Sequence, residues 1–308
     1  MSRTDVIILG GGIIGCALAE ELARRGRRVV VLERGRVGLE ASSAAAGILS
    51  AQMDLAEPGP FFELCQAARR LYPGWIRRIE RRARLSAEFR VSGILYVAAT
   101  SAEAHAMAAR ARRQRRRGLR VERWSSAEIH RREPAVDGRF LAGFFFPNEA
   151  QLDNAVLMRA LAIACRRAGV AVREQVSVRR ILWRGRAVTG VETDRGTVQA
   201  PVVVNCLGSW AAMGGRFPVP LPVEPARGQI LVFRSSVRPL RASVMSGRAY
   251  MVQRRDGRVL VGSTVERAGF KKALTLDGMH HILCGVRRMS LAVARDTFVE
   301  AWAGLRPR

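Results

Sequence analysis

Gly10, Gly12 and Gly15 stand in the spacing G-x-G-x-x-G, within Gly10-Gly11-Gly12-Ile13-Ile14-Gly15, directly after the apolar run 6–9. Glycines so placed suit a pyrophosphate. Gly10 permits a tight turn, Gly12 lets the phosphates approach the backbone, and Gly15 lets a following helix pack close to the strand. The helix start adds unpaired N–H groups and a partial positive charge. Glu33 ends the next apolar run, 29–32, where its carboxylate can accept hydrogen bonds from both ribose hydroxyls of an adenosine and disfavour a 2′-phosphate. Strand, glycines, helix, strand and acid in that order specify a dinucleotide site and leave FAD and NAD both open.

The elements that must position these residues are legible nearby. The run 6–9 reads as a buried parallel strand, and 14–25 as a helix with Leu18, Leu22 and Ala23 on its apolar side, closed by Gly26. The stretch 42–49, Ser-Ser-Ala-Ala-Ala-Gly-Ile-Leu, is made of small residues that let backbone and hydroxyl groups lie against an extended pyrophosphate and an isoalloxazine ring, which favours FAD. Further on, 91–99 reads as a strand and 101–117 as a helix capped by Ser101 with Glu103 in its first turn. Asp153 caps a helix over 154–168, which ends at Gly169 and feeds strands 170–173 and 176–183. A strand over 202–207 and antiparallel strands over 229–233, 249–253 and 259–261 follow, with a hairpin turn at Asp256-Gly257.

Composition bounds the rest. The 308 residues suit two domains, and 48% hydrophobic with 25% charged residues excludes wholesale disorder. Aromatics are only 6%, so Ala, Val, Leu and Ile must build the core. The net charge is +26, and of 52 basic side chains only Lys271 and Lys272 are lysines. Such charge attracts nucleic acid or anionic membrane at low salt. The arginines are spread along the whole chain, however, as on a solvated surface, and no clustered aromatics offer a stacking platform, so no specific nucleic-acid site is expected. The densest run, 110–123, reads as the polar face of an exposed helix or as a docking surface for an acidic partner.

Cys16, Cys65, Cys165, Cys206 and Cys284 show no C-x-x-C or metal-ligand spacing, so buried reduced thiols in a reducing compartment are expected. His105, His130, His280 and His281 form no metal or triad set, and no metal is expected. Neither a signal peptide nor an apolar stretch long enough to span a membrane is visible, so the expected location is the cytoplasm.

With these motifs in order, the chain resembles the D-amino-acid-oxidase-like FAD oxidoreductases, and within them the glycine oxidases of thiamine biosynthesis. The resemblance lies in DVIILGGGIIG (5–15), VVLER (30–34), SSAAAGIL (42–49), VVNCLGSWA (203–211), AYMVQRRDGRVLVGST (249–264) and AWAGLRP (301–307). It implies an α/β fold. A Rossmann-like FAD-binding domain (GR2-type) over 1–85, 149–215 and 301–308 would interleave with an antiparallel-sheet α+β substrate domain over 86–148 and 216–300. It further implies non-covalent FAD, contacted at Ile13, Ile14, Glu33, Arg34, Ala41, Ser42, Ser43, Ala46, Gly47 and Ile48, by the Val178 backbone at the adenine end, and beside Gly208.

The same resemblance assigns Tyr250 and Arg306 to the substrate carboxylate. Amino-acid oxidation by flavin needs little acid–base machinery, because the free amine drives hydride departure and the site has mainly to orient the substrate. A planar, permanently charged Arg306 suits a carboxylate, and the Tyr250 hydroxyl adds one hydrogen bond. Gly304-Leu305-Arg306-Pro307 reads as a turn after an apolar strand. Arg248, two residues before Tyr250, faces either the pocket entrance or solvent. The implied partners are a small amino acid and O2, with oligomeric state left open. Sarcosine oxidase or D-amino-acid dehydrogenase chemistry in the same fold is the alternative activity; a basic, non-catalytic chain binding nucleic acid non-specifically is the alternative class. The family continues beyond the position of Arg308 through a strand and a glycine-rich segment around the flavin, so a C-terminally truncated chain is expected.

Overall fold

A computed structural model describes residues 4–54, 59–213, 220–235, 239–247 and 249–308. In chain order these form β1 (Val6–Leu9), α1 (Ile13–Arg24), β2 (Val29–Glu33), α2 (Ala41–Ala44), β3 (Ile48–Leu49), α3 (Pro60–Ala83), β4 (Ile94–Ala98), α4 (Ser101–Arg115), β5 (Glu122–Trp124), α5 (Ser126–Arg132), β6 (Ala142–Phe146), β7 (Ala150–Gln151) and α6 (Asn154–Arg167). There follow β8 (Ala171–Glu174), β9 (Val178–Arg184), β10 (Ala187–Thr193), β11 (Gly196–Gln199), β12 (Val202–Asn205), β13 (Pro225–Arg234), β14 (Ser243–Ser246), β15 (Ala249–Gln253), β16 (Arg258–Gly262), α7 (Leu276–Met289) and β17 (Thr297–Pro307). Arg248 lies outside the described residues.

The apolar runs at the N-terminus are buried on both faces, as parallel strands require. β12, β1, β2 and β8 form a four-stranded parallel sheet in that order, with Ile7 opposite Val30 and Val203. Val6, Ile8, Val29 and Val31 pack on α1, α3 and α6. Ile7, Leu9, Val30 and Leu32 pack on the antiparallel sheet β11-β10-β9. Each such side chain, fully buried, contributes about 1.5–3 kcal/mol. Glu20 is fully buried on α1 and receives Arg78 and Arg82 of α3, each at 2.9 Å, which staples the two helices.

The larger sheet has eight strands in the order β17-β13-β16-β15-β14-β4-β6-β5, antiparallel except for the β14–β4 pair. One face packs on α5 and α7 through Leu231, Val261, Ile282 and Val286. The opposite face carries Ile230, Val232, Tyr250, Val252 and Leu260 toward the chain around Ala46. The mixed α/β architecture matches the fold class expected from sequence. The boundary expected at residue 301 falls inside β17, which pairs with β13 from Thr297 to Pro307.

Three local readings need correction. The cap of α4 is Thr100, not Ser101. The Thr100 side chain accepts the Glu103 amide at 3.2 Å, and Glu103 accepts the Thr100 amide in return, so Ser101 is already the first helical residue. Of the cysteines, Cys16 and Cys165 are buried, but Cys65, Cys206 and Cys284 are half-buried; all five are free. The run 110–123 is helical only to Arg115, and Gly118 turns the chain with φ +76°. All four histidines are exposed. Among the described residues no helix is long and apolar enough to cross a membrane, and no cluster suits a metal.

Two buried carboxylates hold loops beside the large sheet. Glu133 accepts the amides of Arg241 and Ala242, and Glu149 accepts that of Gln52 just after β3. Burial pushes both up to about 7, from an ordinary value of 4.5. Between those values these two groups keep protons in the folded chain that the unfolded chain has released, so their contribution to stability falls as pH rises from about 4.5 to 7 and levels off above. Denaturant unfolding across pH 5–8 should show this slope, and Glu133→Gln should flatten it. An unchanged slope in the variant would mean that Glu133 ionises normally.

Candidate active site

The glycine cradle forms at the carboxyl end of β1. Gly10 has φ +99°, and a Cβ there would lie 2.5 Å from the Cys206 carbonyl oxygen after β12. A Cβ on Gly15 would lie 2.1 Å from the Gly10 carbonyl oxygen, so α1 sits as close to the strand as the sequence motif requires. Gly12 precedes α1 without a side-chain cap, and a Cβ there would lie 3.2 Å from Ser42 Oγ. Ser42 Oγ itself accepts the Ile13 amide at 2.9 Å, while the Ile14 side chain is 71% exposed at the mouth of the cradle.

Glu33 accepts the Gly11 amide at 2.7 Å and the Gly35 amide at 2.8 Å, one on each carboxylate oxygen. Each oxygen keeps a further lone pair for a ribose. Arg34 is engaged elsewhere: its guanidinium lies 3.7 Å above the Trp210 ring and 3.2 Å from Glu40. Val178 opens β9 near the end of β2, where the Val176 amide donates to the Glu33 carbonyl at 2.9 Å. Gly208, at φ +54°, begins the turn after β12.

The small-residue stretch folds as α2, a loop and β3, and several of its carbonyls accept side-chain donors from other elements. Asn154 Nδ2 donates to the Ser42 and Ser43 carbonyls at 2.7 and 2.9 Å. Trp302 Nε1 donates to Ala44 at 2.9 Å, and an Arg254 Nη donates to Ala46 at 2.8 Å. The Ala41 carbonyl accepts the Ala45 amide, and the Gly47 carbonyl accepts the Leu152 amide. Sequence reading missed Arg254 and Asn154. Arg254 was one arginine among many, and its only local signal is that it continues the alternation of a hairpin strand.

Tyr250 and Arg306 are brought together. Arg306 lies within β17, opposite Ala226 of β13, rather than on the turn expected from sequence, because 300–307 pairs with β13 residue by residue. Gly304, Trp302 and Arg306 alternate onto one face of that strand. A Cβ on Gly304 would lie 2.6 Å from the Ala44 Cβ, which brings α2 directly onto the sheet. The Tyr250 hydroxyl lies over Gly262, where a Cβ would approach it to 2.6 Å, and bonds the Ser263 side chain. Burial pushes Tyr250 up to about 12, against the opposing pull of the Ser263 bond and the positive charges of Arg306 and Arg254. The hydroxyl therefore stays protonated, and able to donate a hydrogen bond, throughout the physiological range. Beyond β3 opens a cavity of about 560 Å³, lined in part by Ile48, Leu49, Tyr72, Phe89 and Val91.

A family described as FAD dependent oxidoreductase (DAO) matches residues 5–308. The chain belongs to that family. FAD is accordingly its cofactor, and the bare backbone at Gly12, the α1 start and the acceptor-rich Glu33 fit a dinucleotide. The bifunctional protein ThiO/ThiG of Synechocystis sp. is 32% identical over 313 residues, covering 99% of this chain and 45% of that protein. Glycine oxidase of Geobacillus kaustophilus is 31% identical over 309 residues, covering 99% of this chain and 82% of that protein. The crystal structure of glycine oxidase from Geobacillus kaustophilus superposes with a TM-score of 0.95 at 29% identity, over all of this chain and 84% of that one. The chain thus spans less than half of the bifunctional relative and about four fifths of the glycine oxidase.

Gly12→Val should abolish FAD binding, since the isopropyl group would meet Ser42 and fill the space before α1. Quenching of FAD fluorescence on titration reads this directly. Glu33→Ala should weaken FAD by about 1–3 kcal/mol, the scale for losing a charged acceptor. Unaltered titration curves in both variants would move the cofactor away from this cradle.

Proposed function

We propose that the protein oxidises a small amino acid, glycine being the first candidate, to the 2-oxo acid and ammonia. The observation that carries this reading is a buried Tyr250 hydroxyl and the Arg306 guanidinium on the sheet face that meets the small-residue chain around Ala44 and Ala46. Arg306 would grip the substrate carboxylate through its planar fork, and Tyr250 would donate a second hydrogen bond. The substrate's Cα–H would then be held toward the chain around Ala46–Ile48, a positioning effect. Bound FAD would supply the hydride acceptor, and with O2 as terminal oxidant the amino acid, O2 and water would give 2-oxo acid, ammonia and hydrogen peroxide.

The cofactor would be held non-covalently. Gly10, Gly12, Ile13, Ile14 and Gly15 form its phosphate cradle, Glu33 receives the ribose, and Ala41, Ser42, Ser43, Ala46, Gly47 and Ile48 lie along its length. Arg34 would act beside it through Trp210 and Glu40. Val178 and Gly208 flank the nucleotide end. Residues 1–85, 149–215 and 301–308 would form the cofactor part and 86–148 and 216–300 the substrate part. Free thiols at all five cysteines suit a reducing compartment such as the cytoplasm. The names of the glycine oxidases this chain resembles support glycine as the first substrate to test.

Arg306→Lys should cut glycine turnover sharply while FAD absorbance stays near that of the parent, because lysine lacks the bidentate fork. Tyr250→Phe should cost less, about 1.5–3 kcal/mol, the scale of one hydrogen bond to a charged group. Peroxide release measured against flavin content in both variants checks the order. Parental turnover in Arg306→Lys would remove the clamp from this residue, and equal loss of flavin and activity would make Arg306 a prop of the cofactor part.

A further inference from the structure

We propose that Arg254 is a positioning residue that fixes the spacing between the substrate clamp and the cofactor-facing chain, acting through the backbone of residues 46 and 152. The inference rests on the reading of Tyr250 and Arg306 given above and deepens it. Arg254 is 6% exposed, at the end of β15. One Nη donates to the Leu152 carbonyl at 2.8 Å, and the other donates to Ala46 at 2.8 Å and to Asn154 Oδ1 at 3.3 Å. Asp153 Oδ2 stands 3.8 Å from Nε and balances the charge.

Three features make this arrangement a spacer as well as a buried ion pair. First, Tyr250 lies in β15 and Arg254 directly follows that strand, so the two Cα atoms are four residue steps apart, about 13 Å at the rise of a strand. Movement of the loop relative to that strand is movement of the cofactor site relative to the substrate site. Second, the loop has few side chains of its own to lock it. Ala44, Ala45, Ala46 and Gly47 offer methyls or nothing, so carbonyl hydrogen bonds set its position. Third, the fit leaves no slack: a Cβ on Gly47 would lie 2.1 Å from the Leu152 oxygen and 3.2 Å from an Arg254 Nη. A planar guanidinium can bridge the Ala46 and Leu152 carbonyls at once, whereas an ammonium is a single point. Trp302 Nε1 and Asn154 Nδ2 hold Ser42, Ser43 and Ala44 through N–H groups of their own, and Arg254 touches Asn154 only at Oδ1. Loss of Arg254 would therefore free the Ala46 end while the α2 end stays anchored.

Arg254→Met and Arg254→Lys are compared with Arg255→Met, a change at the exposed neighbouring position. Amide hydrogen exchange is read first, on the protein without added FAD or substrate. In Arg254→Met, amides of 45–49 and 152 should exchange about tenfold faster or more, with those of β1 and β2 unchanged, since the opening is local. Arg254→Lys should fall between Met and parent, and Arg255→Met should match the parent. Stopped-flow reduction of the FAD-loaded protein by glycine is read second. The limiting rate should drop about tenfold to a hundredfold in Arg254→Met, with glycine affinity within about twofold of the parent, as for a misplaced but intact clamp.

Unchanged exchange at 45–49 in both Arg254 variants would overturn the proposal. So would exchange raised equally in β1 and β2, which would make Arg254 a matter of general stability, or weakened glycine affinity at an unchanged limiting rate. Absence of glycine turnover in the parent would instead overturn the functional reading, while the exchange result would still decide what Arg254 does to the loop.

Discussion

The chain from Ser42 to Gly47 has almost nothing but backbone to contribute to packing, and backbone carbonyls buried without partners are costly. Much of the architecture around it answers that constraint. Asn154 from the start of α6, Trp302 from β17 and Arg254 from the end of β15 each bring a donor to it. The donors come from both the parallel-sheet and the large-sheet parts, so this short run is where the two parts are joined. Small residues are needed for the same reason. Gly304 meets Ala44 at a distance that leaves no room for a side chain, and larger groups in the run would push the sheet away.

That junction places the chemistry. The face of the large sheet that meets the loop is the face that carries Tyr250, Trp302 and Arg306. The opposite face is committed to α5 and α7 through an aliphatic core. The cradle of β1 and α1 reaches the same loop from the other side through the bond from Ile13 to Ser42. A group held by the cradle and laid along the loop is thereby presented to the sheet face without any dedicated connecting domain.

The net charge of +26 bears little on this site. Many arginines form exposed pairs with Glu or Asp, such as Arg25–Glu21 and Arg180–Glu192, and such pairs contribute little to stability. The informative cations are those removed from water. Arg254 and Arg227 are buried, and each has an acidic neighbour, Asp153 and Glu266. A buried guanidinium needs its acceptors in place, which ties it to one arrangement of the surrounding chain.

What the sequence by itself determined is what depends on near neighbours. The glycine spacing, the two apolar strands, Glu33 and the alanine run define the β1–α1–β2 unit and its ligand class within a few dozen residues, because turn geometry and helix–strand packing are local. Resemblance then carried Tyr250 and Arg306 as a pair. Only the tertiary structure decided which arginine is buried and that Arg306 sits on a paired strand rather than a turn. Arg254 reaches Leu152 and Ala46 across 102 and 208 residues of sequence. The alternation of the hairpin strand places Arg254, and not its exposed neighbour Arg255, on the face of Tyr250 and Val252, but nothing nearby shows what buries it. A side chain's desolvation depends on what folds against it from afar, and nearby spacing cannot record that.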